Sequence, residues 1–183
     1  MQQKNQLRKK YFNLRKSKYY DIDKKFFLPL LNLIQSRFKK NFLKIALYYP
    51  SNYELNVLKV LDFNIILKQD ILLPITNKNN LMNFFSWKKN DILFVNQFGI
   101  LEPTKAQKKI PDIILVPTLA FDKDKYRLGY GRGFYDRYLS KYLKQFKNIL
   151  TVGVAFSFQR HRKLPINKND VKLDFIITEK GIY

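Results

Sequence analysis

The run Tyr126-Arg127-Leu128-Gly129-Tyr130-Gly131-Arg132-Gly133-Phe134-Tyr135-Asp136 gathers the residue types from which proteins build phosphate sites. Glycines let the backbone come close to an anion, and a following helix offers unpaired N–H groups and the positive end of its dipole. Arg127 and Arg132 add positive charge at the same place. The run is not a Walker loop, which needs lysine and then serine or threonine after the last glycine, and its spacing is not that of the dinucleotide fingerprint. A tight strand-to-helix turn would use the same glycines. Asp136 argues for a phosphate cradle that holds a nucleotide. A carboxylate in the first helical turn repels bound phosphates unless a cation lies between them, and Mg²⁺ bridging carboxylate and phosphate oxygens is the usual arrangement.

Such a turn must be held by regular elements on either side. Upstream, Asp112 to Pro117 is a short apolar run that reads as a buried strand over Ile113 to Val116. Downstream, Phe134 to Leu143 has helical spacing, with Tyr135, Tyr138, Leu139 and Tyr142 on one side. An amphipathic helix is expected over Ile22 to Phe38, with Phe26, Phe27, Leu30, Leu31 and Ile34 as its apolar stripe and a kink at Pro29. Leu43 to Tyr49 reads as a strand, after which Ser51 is expected to cap a helix containing Glu54, Val57, Leu58 and Leu61. Ile71 to Ile75, Asp91 to Val95, Leu150 to Phe156 and Asp174 to Thr178 are further strand candidates. Asn77 to Asn80 and Thr104 to Lys109 read as polar loops. Strands interleaved with helices predict an α/β fold, a mainly parallel sheet covered on both faces, with ligands beyond the carboxyl ends of its strands. Tyr49, Glu54, the loop after Val116 and the glycine turn would all lie on that edge.

Arg127 to Leu139 resembles the signature of the 5-formyltetrahydrofolate cyclo-ligases, also called 5,10-methenyltetrahydrofolate synthetases. Shorter landmarks in the same order support it: Leu7-Arg8, Tyr49-Pro50 with Glu54, Leu73-Pro74, Gly99 to Pro103, Asp112 to Phe121, Val152 to Phe156, Leu164-Pro165, Asp170 and Asp174 to Glu179. The resemblance spans essentially the whole chain and implies one domain over 1–183. It implies a three-layer α/β/α arrangement related to ribose-5-phosphate isomerase and CoA-transferase-like folds. The implied reaction is ATP-dependent closure of 5-formyltetrahydrofolate to 5,10-methenyltetrahydrofolate, with release of ADP and phosphate. Carried onto matching positions, a basic helix over about 2–18 would bring Lys4 and Arg8 to ATP. Arg127, Leu128, Gly129, Tyr130, Gly131, Arg132, Gly133, Phe134 and Tyr135 would complete the nucleotide contacts, with Arg127 and Arg132 as the catalytic cations. Asp136 and Asp174 would hold Mg²⁺. Tyr49, Glu54 and Tyr130 to Phe134 would face the folate, polyglutamylated folate included. Arg132 stands where relatives often carry glycine or lysine, and Phe134 where tyrosine is common.

Composition narrows the alternatives. A chain of 183 residues with 46% apolar content can bury one good core. No apolar run approaches the roughly 20 residues needed to span a bilayer, so no membrane partner is expected. With no cysteine there is no disulfide framework or thiolate nucleophile, which suits a cytoplasmic protein, expected as a monomer or weak dimer. The net charge of +21 invites a nucleic-acid reading, but the lysines are dispersed and no recognition motif accompanies them, so no nucleic-acid partner is expected. The only histidine, His161, lies in a basic loop and is given no role.

Overall fold

The computed structural model describes residues 2–77, 79–104 and 107–183. In chain order the elements are α1 (Gln2–Lys18), α2 (Leu28–Arg37), β1 (Lys44–Ala46), α3 (Asn64–Leu67), β2 (Asp70–Thr76), β3 (Met82–Ser86), β4 (Leu93–Val95) and β5 (Leu101–Pro103). There follow β6 (Lys108–Lys109), β7 (Ile113–Pro117), β8 (Ala120–Phe121), β9 (Arg127–Leu128), α4 (Phe134–Gln145), β10 (Leu150–Val154), β11 (Phe175–Thr178) and β12 (Gly181–Ile182).

The main sheet has eight strands in the order β12-β11-β10-β7-β1-β2-β3-β6. Strands β11, β10, β7, β1 and β2 run parallel, while β12, β3 and β6 pair antiparallel at the edges. Ile113 to Val116 of β7 are completely buried, as an apolar run at the middle of a doubly covered sheet should be. Alternate residues build two cores. Ile45, Leu47, Ile71, Leu73, Leu115 and Val152 pack with Leu30, Leu31 and Ile34 of α2 on one face. Ala46, Leu72, Ile114, Val116 and Ile176 pack with Tyr138, Leu139 and Tyr142 of α4 on the other. The three-layer α/β/α architecture is therefore the one expected.

Several local expectations are corrected. The segment Ile22 to Phe38 is not one helix: Asp23 accepts from the Lys25 N–H to cap a 3₁₀ turn, and α2 starts at Leu28. Pro29 lies in the first turn of α2, where its missing N–H costs nothing, so it starts the helix rather than kinking it. Ser51 caps no helix. Asn52 (φ 49°) and Tyr53 (φ 62°) adopt left-handed backbone, and the 3₁₀ turn Val57–Asp62 is capped by Asn56. Finally, the strand at Leu93–Val95 stands outside the main sheet, in a hairpin with β5. Part of the predicted loop Thr104 to Lys109 forms β6, paired with β3; Lys105, Ala106 and, in the other polar loop, Lys78 lie outside the described residues.

The topology decides where a ligand can bind. After β1 the chain adds β2 on one side, and later adds β7 on the other. At such a switch point the loops leaving neighbouring strands diverge and open a crevice at the carboxyl edge. A cavity of about 1550 Å³ lies there, lined by Tyr48 and Tyr49 after β1, Pro74 and Thr76 of β2, and Pro117 of β7.

Candidate active site

Helix α1 forms one wall of the cavity. It packs through Tyr11, Leu7, Phe12 and Leu14 on the β8–β9 hairpin and Leu164. The Tyr11 hydroxyl is fixed by the Arg160 carbonyl and His161 Nδ1, so His161 helps to seat the helix. Lys4 and Arg8, one turn apart, then face the cavity together. Arg8 Nε donates to the Gly129 carbonyl at 2.9 Å and Nη1 to Asn5 at 2.6 Å. Lys4 pairs with Asp170.

The glycine turn lies opposite. Gly131 (φ 102°) and Gly133 (φ 67°) take left-handed backbone that favours glycine, and Gly133 opens α4 without a side-chain cap. The first N–H groups of α4 thus have no capping side chain, as a cradle for an anion requires. Beneath the turn, Arg127 is 4% exposed and donates from Nη2 to Asp136 at 3.1 Å. Its Nε is buried without a partner, and its guanidinium lies over the Tyr135 ring. Arg132 instead stacks on Phe98, 4.2 Å from the ring centre, and Phe98 also meets Phe134. The β4–β5 hairpin thereby touches the glycine turn through aromatic contacts.

The third wall is the left-handed turn after β1. Glu54 is 7% exposed and accepts from the Ser51 N–H at 3.0 Å and the Ser51 hydroxyl at 3.3 Å. Burial raises its carboxyl pKa, opposed by the Ser51 hydrogen bond and by the charge of Arg15. Tyr135, whose hydroxyl is buried without a partner, feels both Glu54 and Arg127; burial raises its phenol far above the ordinary value. Tyr49 is half-buried on the same lining.

The structure thus brings Lys4, Arg8, Tyr49, Glu54, Arg127 to Tyr135 and Asp136 to one cavity. Asp174 does not join them. Its carboxylate accepts from the Thr151 N–H and hydroxyl, each at 2.8 Å, and it sits just before β11, near the amino-terminal edge of the sheet. Asp174 is a clasp between β10 and the start of β11, and the acid that reaches the cavity is Asp170. Among the described residues no three His, Asp or Glu side chains converge as a closed metal cage. Asp136 and Asp170 both line the cavity, each paired with a cation, Arg127 and Lys4 respectively. Sequence reasoning also missed Glu102 and Arg15. Glu102 accepts from the Thr76 N–H and hydroxyl and from Asn96, anchoring the hairpin beside the cavity. Arg15 was legible in principle, since Lys4, Arg8, Tyr11 and Arg15 follow the i, i+4, i+7, i+11 stripe of one helical face.

An α/β/α sheet with a glycine- and arginine-lined cleft at its switch point places the chain in the class of α/β proteins whose ligand cavity lies at the carboxyl edge of the sheet. The sequence profile of the 5-formyltetrahydrofolate cyclo-ligase family matches residues 1–179, and the chain belongs to that family. It is 35% identical to a 5-formyltetrahydrofolate cyclo-ligase of Haemophilus influenzae over 150 residues, 78% of each chain. A probable 5-formyltetrahydrofolate cyclo-ligase of Schizosaccharomyces pombe is 31% identical over 129 residues, 62% of this chain and 63% of that one. Two solved 5,10-methenyltetrahydrofolate synthetases share the fold. The Aquifex aeolicus protein superposes with TM-score 0.74 at 33% identity, covering 98% of this chain and 91% of that one. The Mycoplasma pneumoniae protein gives 0.70 at 26% identity, covering 96% and 98%.

Proposed function

We propose that the cavity binds ATP and 5-formyltetrahydrofolate together and performs the family's ring closure, 5-formyltetrahydrofolate to 5,10-methenyltetrahydrofolate. A formamide carbon is a poor electrophile and its oxygen a poor leaving group. Attack of the formyl oxygen on the γ-phosphorus, with ADP departing, corrects both. N10 then adds to the formyl carbon and loses its proton, and the former formyl oxygen leaves as phosphate. Such chemistry asks the protein for in-line positioning and charge neutralisation rather than a covalent nucleophile.

The residues divide accordingly. Lys4, Arg8 and the backbone from Arg127 to Tyr135 hold the triphosphate, with the α4 amino terminus beneath it. Arg127, and Arg132 released from Phe98, stabilise the transferring phosphoryl group. Asp136 and Asp170 would hold Mg²⁺, which when bound neutralises phosphate charge. Glu54 accepts the paired N–H donors of the pterin, and Tyr49 and Tyr130 to Phe134 line the rest of the folate. We place the protein in the cytoplasm, as a monomer or weak dimer with one working domain, and the cationic surface suits a polyglutamylated folate. The convergence of Lys4, Arg8, the glycine turn and buried Glu54 on one cavity carries the reading. Purified protein with ATP, Mg²⁺ and 5-formyltetrahydrofolate should generate methenyl absorbance, and no absorbance from folded protein with any divalent ion would overturn it.

A further inference from the structure

Arg15 is 1% exposed, and the reaction above gives it no task. Its Nη2 donates to the Asn52 carbonyl at 2.7 Å and to the Tyr130 hydroxyl, and its guanidinium lies over the Tyr130 ring at 5.5 Å. Its Nε is buried without a partner, and it enters no ion pair among the described residues. Withdrawing a guanidinium from water without a carboxylate in contact is expensive for the fold. An expense of that kind, beside a cavity, points to function.

We propose that Arg15 is the positioning residue of the folate half of the site, clamping the Tyr130 loop to the Glu54 turn and giving the buried Glu54 carboxylate its counter-charge. This rests on the reading of Glu54 as the pterin contact. One guanidinium ties three segments that are far apart in sequence: α1, the left-handed Asn52 turn and the glycine turn. Because Nη2 donates into the Tyr130 oxygen, the phenol hydrogen is left for Glu54, whose ionised form it stabilises. Tyr130 lines the cavity, and its hydroxyl is held by Arg15.

The groups facing Glu54 are Arg15 from α1, Tyr48 beyond β1, Tyr130 from the glycine turn, Tyr135 from α4 and Ser51 of its own turn. Burial raises all three phenols, so they stay neutral, and Arg15 is the one cation among these groups. Burial already favours the protonated Glu54, and Arg15 opposes that. Without the guanidinium, Glu54 takes up its proton at a higher pH and can no longer accept two pterin N–H bonds.

The test is 5-formyltetrahydrofolate binding by calorimetry to wild type, Arg15→Met and Arg15→Lys, from about pH 6 to about pH 9. ATP affinity, carried by Lys4 and Arg8 at the other end of the helix, serves as the reference. Arg15→Met should weaken folate binding by about tenfold or more at the acid end and recover toward the alkaline end. Arg15→Lys keeps the charge but loses the fork, so it should weaken binding with a wild-type pH profile. A folded Arg15→Met whose loss is the same at every pH, or which shows no loss, overturns the inference. Should Arg15→Met fail to fold, Arg15→Lys decides: weaker folate binding with the wild-type profile supports the clamp, and unchanged affinity removes it. Failure of the wild type itself to bind folate would instead sink the functional reading.

Discussion

Glu54 is a side chain whose burial opposes its ionisation and whose charge we assign to folate binding. Burial raises its folded pKa above the unfolded value, so the folded state holds its proton more tightly. Its contribution to stability is full below the unfolded carboxyl range and is lost as pH rises through the folded pKa. Above the folded pKa the ionised carboxylate is therefore a burden on the fold. Glu54→Gln should raise the Tm at neutral pH while weakening folate by about 1.5–3 kcal/mol, roughly one to two decades in affinity. Thermal melts and folate titrations on one preparation check both halves, and a variant with lower Tm and intact folate binding would contradict the assignment. Asp136 behaves differently. Asp136→Asn leaves Arg127, 4% exposed and with Nε already unpaired, without its carboxylate. Breaking a buried pair costs about 3–5 kcal/mol, and the partial exposure of Asp136 places this one toward the low end. The variant should melt earlier and also require more Mg²⁺ for turnover. A Mg²⁺ titration well below the Tm separates the two effects, and an unshifted curve would make Asp136 purely a partner of Arg127. The glycine turn was legible because its grammar is local: glycines, cations and an acid within one turn. Asp170 was not, because what distinguishes it from Asp174 is a partner at the far end of the chain, Lys4 against Thr151.

At the scale of elements, the apolar pattern located the central strands and α4 because buried parallel strands and amphipathic helices write their burial into composition. The edge strands β3, β6 and β12 and the short pair β8–β9 escaped notice, since their pairing rests on neighbours rather than on their own sequence. The turn bearing Glu54 was misread as a helix because serine before an acid suits a capping pattern equally well. Two left-handed residues decided otherwise. Helix α1 makes its own prediction. Because Lys4 and Arg8 share one face and neither contacts the Glu54 turn, Lys4→Ala and Arg8→Ala should each raise the KM for ATP by roughly one decade while leaving folate affinity nearly unchanged. Initial rates with each substrate varied in turn provide the check; an equal effect on both substrates would mean that the helix, rather than its cations, had moved.

For the whole molecule, a net charge of +21 accompanies a cavity that we assign to two anionic ligands. Long-range attraction of that kind is screened by salt, whereas buried contacts are screened far less. Raising ionic strength from about 0.05 to about 0.5 M should lower kcat/KM for ATP several-fold while kcat changes little. Duplex DNA at low salt should act only as a weak competitor; tight duplex binding that ATP leaves untouched would favour a nucleic-acid role instead. The pairing of Lys4 with Asp170 joins positions that are 166 residues apart. During synthesis, α1 emerges first, carrying apolar Leu7, Phe12 and Leu14 and a guanidinium that finds its acceptors only at Asn52 and Tyr130. The helix must wait for nearly the whole chain before it can dock. On the ribosome, then, the cavity wall that α1 supplies can close only once Leu164 and Asp170 have been made, at about the time β11 completes the parallel sheet.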